Sequence, residues 1–211
     1  MTGTATALGP RERAGVGGAG WGGMTVRQDP PARSPTGHRV VALCGNPRAN
    51  SRTRGLAVHV AGRIAGTAGL GPAAVSTVDL LDYGPRLFDR TADDVRALVG
   101  DVAAADLVVV ASPVFKGSYT GLLKAFLDQF PQAGLAGTMA VPLMVGSLAR
   151  HADVPDRLLG PLLAELGADV LPGLFVPEDD LADAAPRVEA WLGGDLRHRL
   201  VAGILRCSGR S

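Results

Sequence analysis

Apolar residues along this chain form short continuous runs that alternate with stretches of helical spacing. Val40 to Cys44 is the first run, the pattern of a strand buried on both faces. Leu56, Val60 and Ile64 then recur at helical spacing, and the segment Gly66 to Pro72 interrupts the chain. Val75, Val78 and Leu80 predict a second strand that ends near Asp79. Thr91-Ala92-Asp93-Asp94 reads as a helix start, with Thr91 as cap and acids in the first turn. Val95, Leu98 and Val102 give that helix its inner face. Asp106 to Ala111 predicts the third strand, and Gly121 to Phe130 a helix that is apolar almost all round.

Met139 to Val145 predicts the fourth strand, although Pro142 within it cannot donate to a ladder. Asp153 to Leu166 carries a broad leucine stripe and stops at Gly167, as a helix does. Val170 to Val176 predicts the fifth strand, again with a proline, Pro172. A last helix is expected over Leu181 to Leu192, with Leu196 to Leu205 extending it. Arg197, His198, Arg199 and Arg206 read as a solvated face.

Strands and helices alternating at this spacing imply an α/β fold, a parallel sheet covered by helices on both faces. Right-handed crossovers leave few topologies. Five strands favour a flavodoxin-like three-layer sandwich with order 2-1-3-4-5. Residues 1–37 are rich in Gly, Ala, Thr, Pro and Arg without apolar periodicity, and read as a disordered leader. Translation starting at Met24, an exposed Trp21 and a transit peptide are alternatives for that stretch. Residues 38–192 are expected to form one domain, and 193–211 a helical or disordered tail.

Composition narrows the function. The 211 residues are 46% hydrophobic, enough for one sizeable core. A net charge of +1 gives no argument for nucleic acid or a membrane surface as partner. The N-terminus lacks the apolar core of a signal peptide, and no apolar run nears the ~18 residues of a membrane span, so a cytoplasmic protein is expected. The two cysteines, Cys44 and Cys207, make no disulfide framework, and with four scattered histidines they make no metal site. Cys44 closes an apolar strand and reads as a buried thiol.

Three strand-exit loops carry the chemistry. In open α/β sheets ligands bind at the carboxyl ends of the strands. The first loop is Gly45-Asn46-Pro47-Arg48-Ala49-Asn50-Ser51-Arg52-Thr53. A phosphate needs convergent donors. A helix N-terminus, the hydroxyls of Ser51 and Thr53 and the planar fork of Arg48 supply them. The loop has neither the Gly-x-Gly-x-x-Gly fingerprint nor Gly-Lys-Ser/Thr, and also fits an ordinary polar turn capped by Ser51. The second loop is Ser112-Pro113-Val114-Phe115-Lys116-Gly117-Ser118-Tyr119-Thr120-Gly121. Val114 and Phe115 suit a flat ring, Gly117 permits close backbone approach, and Ser118 is placed to cap the next helix or touch a ligand. Phe115 and Tyr119 also fit core or interface positions. The third loop, Val145 to His151, offers backbone donors at Gly146 and Ser147, and also fits a plain turn. His151 reads as a surface histidine rather than a base.

In their order and context, GNPRANSRT, SPVFKGSYTGLLKAFLD and VGSLARH make residues 38–192 resemble the flavodoxin-like NAD(P)H-dependent FMN reductases. The chain is similar to the group that feeds reduced flavin to two-component monooxygenases, such as those that desulfonate alkanesulfonates. The resemblance implies that Asn46, Arg48, Ser51, Arg52 and Thr53 bind the FMN phosphate, with Asn46 where serine is usual. It implies that Pro113, Val114, Phe115, Lys116, Gly117 and Ser118 line the isoalloxazine and ribityl chain. Gly146 and Ser147 match a position where the family often has paired glycines, in a loop one residue shorter here. Tyr119 matches a place where subunits of some members meet, so a homodimer or homotetramer is implied.

Hydride transfer to flavin needs no protein nucleophile, so no catalytic acid, base or nucleophile is expected. NADPH or NADH must bring its ring to the flavin at about 3–3.5 Å, and a shaped cleft does this. Arg48, Arg52, Lys116 and Arg150 are the cations near enough to meet a 2′-phosphate. An FMN-containing quinone or azo reductase, a flavodoxin-like electron carrier and a domain that has lost its flavin are the competing readings. Strong acidity is usual in the carriers, and the near-neutral balance here weighs against one.

Overall fold

The structure, a computed structural model, describes residues 39–207; the expected leader, Trp21 and Met24 lie outside the described residues. Strands β1 (Val40–Cys44), β2 (Val75–Asp79), β3 (Leu107–Pro113) and β4 (Met139–Gly146) run parallel. Two short strands, β5 (Asp169–Val170) and β6 (Leu174–Pro177), both pair with β4 along its outer edge. The sheet order is β2-β1-β3-β4-β5, the flavodoxin-like order, with β6 beyond the break in β5.

Every residue of β1, β3 and β4 is buried, because helices cover both faces. Val40, Ala42, Leu107, Val109, Val141 and Leu143 face one layer of helices: α1 (Arg52–Thr67), α5 (Ala185–Trp191) and α6 (Gly194–Cys207). Val41, Leu43, Val108, Val110, Ala140 and Met144 face the other: α2 (Asp93–Ala103), α3 (Gly121–Leu127) and α4 (Gly160–Glu165). The two-residue period of the strands thus sorts one apolar run into two cores. No described helix is long and apolar enough to cross a membrane.

The expected fifth strand is split, and Pro142 lies opposite the gap. Met139 N–H donates to the Asp106 carbonyl, while Leu171 N–H donates to the Ala140 carbonyl. Alternate β4 residues therefore address alternate neighbours, and Pro142 shares the side of Ala140. The N–H that it lacks would point at residues 171–173, where Pro172 and Gly173 already interrupt the partner strand. The gap's own polar groups find partners elsewhere. Gly173 N–H donates to Asp156 Oδ1 at 2.7 Å, and the Pro172 carbonyl accepts from Trp191 Nε1 at 3.1 Å.

Other boundaries shift for local reasons. Thr91 does not cap α2, because its N–H and hydroxyl both donate to Asp89 Oδ1, at 2.8 and 2.6 Å. The expected helix 153–166 opens into a wide π-type turn at Pro155–Leu159 before α4. Pro161 supplies the reason, since it has no N–H and its ring needs space in the preceding turn. Leu181 to Leu192 divides into a 3₁₀ stretch, Glu178–Asp183, and α5, with Pro186 in the first turn. Gly194, at φ +60, then separates α6 from α5. The apolar girdle of Gly121 to Phe130 is largely consumed inside the chain. Leu123, Ala125, Phe126 and Leu127 are buried in α3, and Phe126 meets Phe130 edge to face at 5.4 Å.

Helix α6 packs as an integral layer. Leu196, Leu200 and Ile204 recur every four residues and are buried against the sheet. A Cβ at Gly203 would lie 2.2 Å from Met139 Sδ, so the helix backbone rests directly on the foot of β4. Leu200→Ala is expected to cost about 2–5 kcal/mol, the range for truncating a fully buried leucine. Urea denaturation should show this as a lower midpoint with the slope preserved; an unchanged midpoint would mean that α6 is not packed.

Candidate functional site

The exits of β1 and β3 are tied together at the carboxyl edge of the sheet. Gly45 leaves β1 with its N–H on the Ala111 carbonyl at 2.8 Å. A Cβ on Gly45 would fall 2.6 Å from Leu123 Cβ, so only glycine lets the β1 exit pass α3 this closely. Thr120, the N-cap of α3, closes the contact. Its Oγ1 donates to the Gly45 carbonyl at 2.5 Å and accepts from Leu123 N–H at 3.1 Å. Its own N–H donates to Ser112 Oγ at 3.0 Å, and that hydroxyl donates to the Pro113 carbonyl at 2.9 Å. Ser112 and Thr120 are buried, and each hydroxyl both donates and accepts. Neither was among the expected site residues. Their flank position, between strand and helix, hid a structural role that only the neighbouring loop reveals.

In the first loop the side chains hold one another before any ligand is considered. Asn46 is buried, with Nδ2 donating to Thr53 Oγ1 at 3.1 Å and Oδ1 accepting from Arg48 N–H at 3.0 Å. Asn46 thus shapes the turn of the first loop. Ser51 Oγ caps α1 by accepting from Arg54 N–H at 3.2 Å. Asn50, at φ +52, turns the loop into the helix. Among the described residues nothing accepts from the N–H groups of Arg52 and Thr53.

The first turn of α1 is also wrongly charged for a helix left to itself. It contains Arg52 and Arg54 and no acid, whereas the helix dipole favours acids there. Free N–H groups, a left-handed turn and two arginines at a helix start suit an oxyanion.

The second loop is a tight hairpin. Phe115 and Ser118 exchange both backbone bonds, at 2.8 and 3.1 Å, around Lys116 at φ +54 and Gly117 at φ +81. Two left-handed central residues define a type I′ turn. Gly117 is therefore needed for the turn itself; a Cβ there would meet no protein atom within 4 Å. Ser118 pairs with Phe115 instead of capping α3, because Thr120 holds that position. Phe115 is 38% exposed, and the Arg48 guanidinium lies over its ring at 5.7 Å. The first two loops thus meet across one crevice.

The third loop joins them. Val114 N–H donates to the Val145 carbonyl at 2.6 Å, and a Cβ on Gly146 would press on Val114 at 3.1 Å and Phe175 at 3.2 Å. Gly146 thereby lets the β4 exit lie against the base of the hairpin. Ser147 and Arg150 are exposed; His151 is half-buried, and its Nδ1 has no partner among the described residues. The family model for NADPH-dependent FMN reductase matches residues 38–180.

The chain belongs to the NADPH-dependent FMN reductase family. It is 30% identical over 151 residues to the FMN reductase (NADPH) of Escherichia coli, covering 69% of this chain and 76% of that protein. It is 35% identical over 143 residues to the NADH-dependent FMN reductase SfnF of Pseudomonas putida, covering 65% and 76%. Among solved structures, the apo form of an NADH:FMN oxidoreductase (EMOB) superposes with a TM-score of 0.63 at 29% identity. That match covers 81% of this chain and 88% of the other.

Beside the crevice lies a buried carboxylate that the sequence pattern did not single out. Asp79 ends β2 in register with Cys44, accepts from Leu81 N–H at 3.1 Å, and has Arg54 Nε at 3.7 Å. Burial holds its carboxyl above the ordinary 3.8, with Asp82 adding to the effect and the Leu81 N–H and Arg54 opposing it. Cys44 is a free, buried thiol, also pushed up by burial, with Ser51 Oγ 3.7 Å from its sulfur. The sheet therefore presents a neutral thiol and a costly carboxylate under the first loop.

Two outcomes are expected. Thr120→Val keeps the volume but strips the Gly45 carbonyl of its donor and Leu123 of its cap. It should destabilise the fold by about 1–3 kcal/mol and weaken FMN binding, with Thr120→Ser restoring both. Thermal melts and flavin-fluorescence titrations read the two effects. For Asp79, the folded state holds the proton more tightly than the unfolded state. Its contribution to stability is greatest below pH 3.8 and falls as the pH rises through the raised folded value. Asp79→Asn should therefore be at least as stable as the parent at neutral pH, with any advantage vanishing in acid. Urea midpoints across that range check the sign.

Proposed function

We propose that this protein is an NAD(P)H-dependent FMN reductase whose crevice grips FMN by its phosphate and leaves the ring open to a reduced nicotinamide. The observation that carries this reading is the meeting of Arg48 with Phe115, an arginine of the polar loop lying over the exposed ring of the apolar one. It puts an anion cradle and a flat apolar wall within one side-chain length of each other. When bound there, FMN supplies the chemistry, taking a hydride from the nicotinamide and a proton from solvent.

The chain's own residues bind and orient. The N–H groups of Arg52 and Thr53, the α1 dipole, Arg48 and Arg52 would hold the phosphate oxygens. Asn46, Ser51 and Thr53 would keep that turn in shape, because their polar groups already engage one another or the helix start. Pro113, Val114, Phe115 and Gly117–Ser118 would form the wall beside the ring, with Lys116 at the hairpin tip. Gly146 and Ser147 would close the far edge with backbone groups. No acid or base is required of the protein.

The same reading makes a flavin-dependent monooxygenase the consumer of reduced FMN, and makes the chain a soluble homodimer or homotetramer of the cytoplasm. Sedimentation as a strict monomer would reject the assembly. Purified protein mixed with FMN and either nicotinamide should bleach the near-ultraviolet absorbance of NADPH or NADH. No oxidation of either would reject the enzyme. Saturation with FMN as the varied substrate would separate a flavin reductase from a quinone or azo reductase that keeps its flavin.

A further inference from the structure

Several cations near the strand exits are neutralised by an acid of this chain. Arg54 faces Asp79, Arg157 pairs with Asp153 at 2.8 Å, and Arg187 pairs with Asp180 at 2.6 Å. Outside the cradle at α1, where Arg48 and Arg52 also have no acid partner among the described residues, Lys116 and Arg150 break that pattern. Both are exposed, and neither forms an ion pair among the described residues. They sit on adjacent loops, since Val114 at the hairpin base packs against Gly146 at the start of the other. Lys116 also holds a left-handed backbone conformation, at φ +54, where asparagine or glycine is the ordinary choice. A lysine kept at such a position points to a use for its side chain.

The opposite side of the crevice is acidic. Glu178, Asp179, Asp180 and Asp183 follow β6, whose last residue pairs with Gly146. That loop lies on the α1 side, where Arg52 Nη1 approaches the Glu178 carbonyl at 3.5 Å. Arg48 is occupied over Phe115. A second anionic ligand, arriving after the cradle at α1 is filled, therefore meets negative charge on the α1 side. On the α3/α4 side it meets two free cations.

We propose that Lys116 and Arg150 receive the adenosine 2′-phosphate of NADPH, so that the chain selects NADPH over NADH by charge on two loops away from the phosphate cradle at α1. This rests on the reductase reading and assigns the reductant to one side of the crevice. The two cations hold a phosphate dianion that NADH lacks. NADPH binding should then weaken with salt more steeply than NADH binding.

The test compares kcat/KM for NADPH and NADH at saturating FMN in the parent, Lys116→Asn, Arg150→Gln and the double variant. Asparagine tolerates the left-handed turn, so the hairpin is kept. The parent is expected to favour NADPH. Each single variant should lower kcat/KM for NADPH about tenfold, the loss of one charge-assisted contact, and for NADH by less. The double variant should lose the preference. Arg157→Gln, near the same loop but already paired, should leave the ratio unchanged. A parent without NADPH preference, or equal losses for both nicotinamides, overturns the assignment while leaving the reductase reading intact. Calorimetric titration of the FMN-loaded protein with 2′,5′-ADP and 5′-AMP decides the site without turnover. Tighter binding of 2′,5′-ADP that disappears in the double variant supports the assignment, and equal binding overturns it. Failure to oxidise either nicotinamide instead rejects the reductase reading.

Discussion

One buried hydroxyl fixes the geometry of the crevice. Thr120 Oγ1 bonds the carbonyl at the β1 exit and caps the helix that follows β3, so two segments 75 residues apart are joined directly. The hydroxyl of Ser112 extends the tie to the β3 exit. Each of the two hydroxyls both donates and accepts, and both residues are buried, so loss of either partner leaves a polar group unsatisfied. Gly45 is its steric complement. Without a Cβ, the strand exit comes close enough to α3 for the threonine to reach. The polar loop above and the apolar hairpin beside it inherit their separation from this contact.

The sheet order, both helical layers and three strand-exit loops were readable from the alternation of apolar runs and helical spacing. That legibility has a simple source. A strand buried on two faces must be continuously apolar, and a covering helix must repeat every three to four residues. What escaped the sequence was of a different kind. The split of the fifth strand depends on where Pro142 points, and that is set by register against a neighbour. The widening before α4 depends on Pro161, inside a leucine stripe that otherwise reads as helix. Thr91 looked like a cap until Asp89 competed for its hydroxyl. Ser118 was expected to cap α3, but its hairpin pairing with Phe115 leaves that place to Thr120. Asp79 and Ser112 carry no local signature; both matter because of residues distant in sequence.

The first turn of α1 shows how a local conflict can announce a site. Two arginines at a helix start oppose the dipole, and the N–H groups beside them have no partner among the described residues. A sequence optimised for stability alone would put acids there. Asp79 offsets the charge of Arg54 from below, which leaves Arg52 and Arg48 without an acid. An anion between them would relieve the repulsion among the cations and satisfy the exposed N–H groups. The fold therefore stores, at the edge of its sheet, an electrostatic imbalance that a phosphate can resolve.

The seating of Gly203 on Met139 has a consequence for how far the folding unit extends. The family model matches residues 38–180, yet the foot of β4 is roofed by a helix past that point. Any fragment trimmed to the shared region would strip the roof from the central strands and leave Met139 and its neighbours open to water. The core that buries the central strands therefore reaches through the C-terminal helix.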